Sequence, residues 1–548
     1  MSATQISESN TEPSIEKQPV KNEDIPVQAG NYGLQFWLIV VAIILSAIVS
    51  ALDGSAVSTA LPTIVAELEL GPNYVWTVNI YFLTTAAFQP LLGQLSDLWG
   101  RRWVFISTVA IFVLGSGLCG GASTAAMFIA ARGVQGVGAG GINMMVDLII
   151  CDLVPLRDRG KYMGIIFGVA TIFAALGPLF GGALTGAGAW RWIFWLNLPL
   201  GGLCIGILLI WLRLSHRREG SFLHRIRRVD WIGTGIIVGS TVSILWALAY
   251  GGSLKPWSDS GVIAALVVGH AGLGLFIVWE ATPWSKEPLI PLRLFANRTS
   301  AAAFFLTFTN CLFAIWVVYM LPVYFQAVLG SDPLHSGIRL LPYVCAFPFA
   351  AAISGNVMAK IGRYRPIHLV GFAMCTLACG LSSILDENSH DALWAVFEIF
   401  FAVGIGAPIT CLLPAVQAKL SDKDTASSTA AWAFIRSLGT IWGISIPAAI
   451  FNDRFEQLRY LIEDEQTRNM LGGGQAYAQA ASSFTNTLTG ITRDQVIQVY
   501  SMSLQRVWQL SIIFAGISFL VVFLEREVVM RKELETDFGL EKEKKQTP

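Results

Sequence analysis

The stretch GQLSDLWGRR, residues 93–102, places one aspartate and two arginines between two long apolar segments. The chain around it is 54% hydrophobic and only 14% charged, so such a concentration of charge is unusual here. Apolar runs of about 20 residues recur along nearly the whole chain, and an α-helix of that length crosses a hydrocarbon layer of about 30 Å. The sequence therefore predicts an all-α polytopic membrane protein, in which GQLSDLWGRR connects two spans.

Apolar runs between charged, proline or glycine breaks predict fourteen spans. Lys and Arg concentrate in the loops after even-numbered spans, as in the six arginines between Arg213 and Arg228. Cytoplasmic loops carry such an excess, so both termini are expected in the cytoplasm. The predicted spans lie near residues 35–56, 75–95, 103–121, 126–149, 162–186, 193–212, 230–250, 261–281, 301–328, 338–358, 367–385, 392–414, 427–451 and 507–525.

A weak internal repeat connects the two halves of the chain. GNVMAKIGRYR, residues 355–365, aligns with GQLSDLWGRR at constant spacing, with Gly355 matching Gly93 and Gly362 matching Gly100. Ala359 replaces Asp97 in this second copy. Many transporters are built from such repeats around a central site.

Several motifs carry a family resemblance. GQLSDLWGRR resembles the loop between spans two and three of the major facilitator superfamily, and RGVQGVGAGG (132–141) resembles its span-four motif. GVATIFAALGPLFGG (168–182) is similar to the span-five motif of its drug/proton antiporters. LDGSAVSTALPTI (52–64) and WRWIFWLNLPLG (190–201) resemble signatures of the fourteen-span drug:proton antiporter branch.

The resemblance implies a major facilitator fold, with two six-helix bundles and two inserted central helices. The expected regions are a disordered cytoplasmic tail, a first bundle, a basic loop with the inserted helices, a second bundle with an extracellular loop at 452–506, and a cytoplasmic tail. Their bounds are 1–33, 34–214, 215–285, 286–526 and 527–548.

The loop after span two is expected to act as a cytoplasmic gate. Its glycines permit tight helix ends, its arginines anchor the loop at the membrane interface, and its aspartate can pair with a cation or a helix end to hold the cytoplasmic side shut. The alternative is a charged loop that only sets topology. The gate residues are Gly93, Asp97, Gly100, Arg101 and Arg102.

Charged residues inside predicted spans are candidates for proton coupling and for lining a substrate cavity. Arg132 lies one or two turns inside span four, where a charge usually faces a cavity or a partner. The resemblance implies a role in proton coupling for Arg132, and the alternative is an interfacial arginine that extends outward to water. Asp53, late in span one, is the best-placed acid to titrate or to face a cationic substrate, and the alternative is a helix-end residue paired within the bundle. Glu398 and Arg436 come next, whereas Glu280 and Asp147 are expected near the interface.

Small residues recur at four-residue spacing in span five. They are expected to let a facing helix approach closely, and Pro178 favours a kink because it removes a backbone hydrogen bond. The resemblance implies an influence on exchange direction and leak. The residues of this motif are Gly164, Gly168, Gly177, Pro178, Gly181 and Gly182, with Gly186 beyond it.

No soluble-enzyme motif occurs in the sequence. There is no GxxxxGK[ST] loop for direct ATP drive, and the six histidines have no metal-ligand spacing. We therefore expect no enzyme activity, no metal and no cofactor, with the proton gradient as energy source. The expected partners are a small-molecule substrate, protons and the lipid bilayer. We expect no binding of nucleic acid, and we expect a monomer.

The sequence thus predicts a proton-coupled exporter of lipophilic or amphipathic drugs, toxins or secondary metabolites. The family resemblance favours a fungal efflux pump in the cell membrane, with the vacuolar membrane as alternative. Two other functions remain open. One is a transporter of basic amino acids or iron chelates, which a strongly acidic cavity would favour, and the other is a non-transporting membrane sensor.

Overall fold

The computed structural model describes residues 33–70, 74–214, 222–251, 255–477, 479–480 and 482–531. Within these ranges the chain is almost entirely helical and forms no β-sheet. Most of the predicted N-terminal tail, part of the basic loop after span six and most of the C-terminal tail lie outside the described residues.

Thirteen helices in the described ranges are long and apolar enough to cross a bilayer. The predicted second span is not among them, and it is divided at Phe88 into helices of 14 and 11 residues. Counting that divided span with the thirteen gives the fourteen spans that the sequence predicts, and we number them in chain order.

The fourteen spans have the following bounds. They are Leu34–Glu67, Tyr74–Ala87 with Gln89–Trp99, Arg101–Gly120, Ala125–Leu153, Arg159–Gly186, Trp192–Trp195 with Asn197–Trp211, Trp231–Tyr250, Ser260–Ala281, Arg298–Val323, Pro333–Arg339 with Leu341–Ile361, Arg365–Ser382, Asp391–Gln417, Thr425–Leu458 and Gly490–Val522. Shorter helical segments connect them at Phe222–Arg228, Leu292–Phe295, Tyr324–Val328, Asp422–Asp424, Arg459–Leu461, Glu465–Leu471 and Ser482–Thr485.

Proline acts differently at two places in the spans. Pro90 lies in the first turn after the break at Phe88, where its missing N–H group would have no helical partner. Span 5 instead remains one helix from Arg159 to Gly186 with Pro178 inside it. The carbonyl oxygen of Pro178 accepts a hydrogen bond from Thr59 Oγ1 on span 1, at 3.2 Å. The chain is therefore interrupted at Phe88, just before Pro90, whereas Pro178 lies in a continuous helix.

Polar side chains at loop ends begin several spans. Thr124 Oγ1 accepts the backbone N–H of Met127 at 3.2 Å, and Asp259 Oδ1 accepts that of Gly261 at 2.9 Å. The first turn of a helix has N–H groups without helical partners, so these side chains fix where spans 4 and 8 start. The Lys255 ammonium, 3.2 Å from Asp259 Oδ1, lowers the pKa of that carboxyl below its ordinary value.

Spans 1 to 6 pack mainly on one another, and so do spans 9 to 14; we call these the first and second halves. Span 5 packs along span 1 and span 3 along span 4, while span 10 packs along span 12 and span 9 along span 13. Spans 7 and 8 pack against each other, and span 7 also contacts span 2. The halves meet where span 5 packs on span 10 and span 13 on spans 2 and 4.

The helices around the large outer loop are longer than the sequence predicts. Span 13 continues to Leu458 and span 14 begins at Gly490, so both enter the segment 452–506 that was expected to be loop. The backbone hydrogen bonds of a helix form in water as well as in lipid. A helix can therefore continue past the end of its apolar run, as both of these helices do. The irregular part of this loop is correspondingly shorter.

Candidate functional site

Asp53 on span 1 and Arg132 on span 4 form an ion pair inside the first half. Arg132 Nη1 lies 2.7 Å from Asp53 Oδ2. The side chain of Arg132 is 1% exposed and that of Asp53 is 0% exposed. The sequence placed Arg132 next to a cavity or a partner, and the structure provides a partner. The alternative of an interfacial arginine that extends to water is wrong because the guanidinium is buried.

Three amide and hydroxyl side chains complete the coordination of this pair. Gln135 Oε1 accepts from Arg132 Nη1 at 2.6 Å, and Gln135 Nε2 donates to Asp53 Oδ1 at 2.8 Å. Asn197 Nδ2 on span 6 also donates to Asp53 Oδ1, at 2.9 Å. Ser116 Oγ on span 3 accepts from Gln135 Nε2 at 2.7 Å. We call these five side chains the Asp53 network, and it connects spans 1, 3, 4 and 6.

Aromatic rings cover the guanidinium of Arg132. Its Cζ lies 4.2 Å from the ring centroid of Tyr81 on span 2 and 5.9 Å from that of Phe194. A desolvated cation over an aromatic face gains about 2 kcal/mol. Arg132 Nε also donates to the carbonyl oxygen of Thr77 at 3.1 Å. Several groups therefore compensate the buried charge of Arg132. Without Arg132, the Asp53 carboxylate would lack its cation.

A second ion pair joins the two halves of the molecule. Arg436 Nη2 on span 13 lies 3.1 Å from Asp147 Oδ2 on span 4. The Arg436 guanidinium also lies 4.5 Å from the Trp432 ring and 5.5 Å from the Phe167 ring. The Asp147 carboxylate is buried between spans 4 and 13, and its predicted depth near the membrane interface stays a prediction.

Glu398 on span 12 is a buried acid that is not part of either ion pair. Its Oε2 accepts the backbone N–H of Tyr343 at 3.2 Å. Its Oε1 has no hydrogen-bond partner among the described residues. Glu280 at the end of span 8 differs, since its two oxygens accept the N–H groups of Leu289 at 3.2 Å and Ile290 at 3.3 Å. Among the four predicted candidates, the structure thus brings only Asp53 and Arg132 into contact.

Comparison with known proteins identifies the family. Residues 43–444 match the sequence model of the Major Facilitator Superfamily. The chain belongs to this superfamily. It is 46% identical over 540 residues to the MFS-type efflux transporter ffsH of Aspergillus flavipes, an alignment that covers 98% of this chain and 93% of that protein. It is also 43% identical to the efflux pump FUS6 of Gibberella fujikuroi, with 93% of each protein covered.

Solved structures of the superfamily share the fold at low sequence identity. The human organic anion transporter MFSD10 (TETRAN) has a TM-score of 0.57 and 13% identity, covering 90% of this chain and 100% of that chain. The proton:xylose symporter XylE has a TM-score of 0.53 and 12% identity, covering 87% of this chain and 99% of that chain. These comparisons confirm the major facilitator fold that the motifs predicted.

In this major facilitator protein the charged loop after span 2 is partly internal. Arg101 is only 3% exposed, and its guanidinium lies 2.6 Å from Asp97 Oδ1 and 2.9 Å from Asp152 Oδ2. Arg101 therefore connects the loop to spans 2 and 4 inside the protein, and its predicted role as an anchor at the membrane interface stays a prediction. Arg102 donates to the carbonyl oxygen of Leu209 at 2.6 Å. Sequence reasoning missed Asp152, although it is an acid at the cytoplasmic end of span 4.

The two glycines of that loop have separate structural reasons. Gly100 has φ +89°, a backbone conformation that residues with a Cβ rarely adopt, and it turns the chain from span 2 into span 3. Gly93 faces the second half, where a Cβ at this position would collide with the Cβ of Ala430 on span 13. Gly93 thus allows close contact between the halves on the side assigned to the cytoplasm.

The glycines of span 5 face three different surroundings. A Cβ at Gly164 would lie 2.8 Å from the Ala351 carbonyl oxygen, and one at Gly168 would lie 3.1 Å from the Pro348 Cβ, both on span 10. Gly177 and Gly181 instead face span 1. Gly182 and Gly186 have open space where a Cβ would point. The expectation of close helix approach is wrong for these last two because their faces are exposed.

Polar bonds reinforce the contact between the halves at the same end. Arg159 Nη1 at the start of span 5 donates to Gln417 Oε1 of span 12 at 2.6 Å. Arg157 Nε donates to the carbonyl oxygen of Ala359 at the end of span 10, at 2.6 Å. Together with the glycine contacts of spans 5 and 10, these bonds hold the halves together at the cytoplasmic end.

Proposed function

We propose that this chain is a proton-coupled exporter of small lipophilic or amphipathic molecules such as toxins or secondary metabolites. The similarity over 98% of the chain to a protein named as an efflux transporter supports export. The Asp53 network supports proton coupling, since buried charges inside membrane spans usually mark ion or proton pathways. Alternating exposure of a central site would then exchange protons for substrate.

One cavity in the described part of the chain supports a lipophilic substrate. It has a volume of about 230 Å³ and lies between spans 2, 7 and 13 and the outer loop. Its walls are mostly apolar and aromatic, as is usual for small-molecule sites. The lining includes Trp76, Phe82, Leu245, Trp257, Ile441 and Tyr477. These residues do not form the strongly acidic cavity that would favour transport of basic amino acids.

The proton gradient supplies enough energy for such export. One proton driven by about 100 mV and about one pH unit provides about 3.7 kcal/mol. At about 1.4 kcal/mol for each factor of ten, this sustains a several-hundredfold gradient of a neutral substrate. The cytoplasmic contacts of Gly93 and Gly164 would have to separate in each cycle for substrate to enter from the cytoplasm. The cell membrane is the proposed location, with the vacuolar membrane as the alternative.

Efflux from cells tests this proposal. Cells expressing the chain are loaded with a panel of lipophilic fluorescent compounds, and their release is followed with and without a protonophore. We expect faster release than from cells lacking the chain, and we expect the protonophore to remove the difference. Absence of release from a chain confirmed at the cell surface would contradict export of such compounds. Release that resists the protonophore would contradict proton coupling.

The ion pair between Asp147 and Arg436 has its own expected effect in this assay. Arg436→Ala leaves a buried carboxylate without its cation and weakens the connection between spans 4 and 13. We expect the initial efflux rate to fall at least about tenfold, a change of about 1.4 kcal/mol in the barrier. Arg436→Lys keeps a positive charge near Asp147 and should retain a measurable part of the rate. Equal rates for wild type and Arg436→Ala would contradict a role for the pair.

A further inference from the structure

The internal repeat extends beyond the cytoplasmic loops into the spans that carry the buried charges. At constant spacing, Arg132 on span 4 aligns with Glu398 on span 12, together with Gly138 and Gly404. The spacing that aligns Gly93 with Gly355 also aligns Tyr81 on span 2 with Tyr343 on span 10. The residue that aligns with the buried arginine of the first half is therefore a buried acid in the second half.

Packing confirms that these positions are equivalent in space. Gly138 allows span 4 to approach the backbone of Phe112 on span 3, and Gly404 allows span 12 to approach that of Cys375 on span 11. Two residues further along, Gly140 faces the carbonyl oxygen of Thr85 on span 2, and Gly406 faces that of Phe347 on span 10. Each repeat thus uses its glycines to pack the fourth helix against the second and the third.

The immediate neighbours of Arg132 and Glu398 also correspond. Tyr81 covers the Arg132 guanidinium with its ring, 4.2 Å from Cζ to centroid. Its counterpart Tyr343 donates its backbone N–H to Glu398 Oε2 at 3.2 Å. The two halves differ in what neutralises the charge. Arg132 has Asp53 on span 1, whereas residues 299–323 of span 9 contain no acidic or basic residue.

The other titratable groups around Glu398 do not supply a positive charge. Tyr343 on span 10 interacts electrostatically with Glu398, with Cys375 on span 11 and with Cys311 on span 9. Phenols and thiols are ordinarily neutral near pH 7. Toward the outer end, Arg339 is already paired with Asp391, 3.6 Å away. A bare carboxylate at Glu398 would therefore be a buried charge with one N–H donor, and a proton removes that charge.

We infer that Glu398 is a proton-binding site of the second half, at the position that Arg132 occupies in the first half. Its carboxylate accepts a proton from water when the transport cycle exposes it and returns the proton to water on the other side, so no other reactant is needed. The inference rests on the proposed proton-coupled export and specifies the group that carries the proton. In this assignment Glu398 exchanges the proton, and the buried charges of Asp53 and Arg132 are needed for the first half to change conformation with it.

Infrared difference spectra of the purified full-length chain in lipid nanodiscs test the site directly. A protonated carboxylic acid gives a C=O stretching band that a carboxylate lacks. We expect a pH-dependent band of this kind in wild type and its loss in Glu398→Gln. Glu280→Gln is the matched control, because Glu280 is another buried acid but both of its oxygens accept N–H groups. Glu398→Asp keeps an acid at the site and should keep a band, shifted in pH.

Transport by the same variants in proteoliposomes provides the second measurement. Glu398→Gln should lose pH-gradient-driven transport of a fluorescent substrate at least tenfold, while exchange of substrate for substrate without a gradient stays within about twofold of wild type. Gradient-driven transport at the wild-type rate in Glu398→Gln, or an unchanged infrared band, would overturn the inference. If wild type itself shows no gradient-driven transport, the proposed function fails, and the infrared band still decides whether Glu398 binds a proton.

Discussion

Arg132→Ala will abolish proton-driven export, with an expected loss of at least a hundredfold in the initial rate. Removing the guanidinium leaves Asp53 buried beside Gln135 and Asn197 without its cation. Loss of one partner of a buried ion pair typically costs about 3–5 kcal/mol. We therefore also expect a lower temperature of thermal unfolding in detergent. Both quantities are measured on the purified variant and in the efflux assay.

A double variant separates stability from mechanism. Asp53→Asn combined with Arg132→Met removes both charges, and replacing a buried pair by neutral groups is often neutral for stability. We expect the double variant to recover the thermal stability that Arg132→Ala loses but to remain inactive in export. Recovery of transport in the double variant would show that the charges are structural only. Arg459→Ala, which breaks the half-exposed pair with Glu456 three residues before it on the outer side, is the control and should change neither measurement.

Gly355→Ala will disturb the contact between spans 5 and 10 and lower transport at least tenfold. A Cβ at this position would lie 2.5 Å from the carbonyl carbon of Gly160 and 2.9 Å from the backbone nitrogen of Lys161. Backbone atoms cannot move aside alone, so the two spans must separate, and overpacking of this kind costs about 1–3 kcal/mol. The cytoplasm-closed arrangement should become less populated than in wild type.

Distances between spin labels at Lys161 and Lys360, both exposed at the cytoplasmic end, measure this change. We expect a longer distance in Gly355→Ala than in wild type. Gly182→Ala is the matched control, because no atom lies within 4 Å of its added Cβ. It should leave both the distance and the transport rate unchanged. An unchanged distance in Gly355→Ala would contradict the assignment of this contact to cytoplasmic closure.

Much of this fold can be predicted from the sequence because span length and loop charge are local properties of the chain. Apolar runs give the helices, and the alternation of Lys and Arg orders them across the bilayer. Helix ends are less well predicted, since span 13 extends past its apolar run to Leu458. The break at Phe88 could have been found from Pro90, whose missing N–H favours the start of a new helix.

Side-chain partners are harder to predict because they depend on which faces meet. Gln135 could have been assigned to the Asp53 network, since it lies one turn after Arg132 on the same helix face. Asp147 and Arg436 belong to different halves, and nothing in one sequence indicates that spans 4 and 13 meet there. Nor does the sequence indicate which helix a glycine of span 5 faces, since Gly164 faces span 10 and Gly177 faces span 1.

The central claim is that substrate moves outward in exchange for protons, and transport by the purified chain in proteoliposomes tests it most directly. A pH gradient is imposed across the vesicles, and the movement of a lipophilic fluorescent compound and of protons is recorded together. The account predicts substrate movement against the direction of proton flow, absent without a gradient and absent in Arg132→Ala. Substrate movement at the same rate with and without the gradient would contradict proton-coupled export.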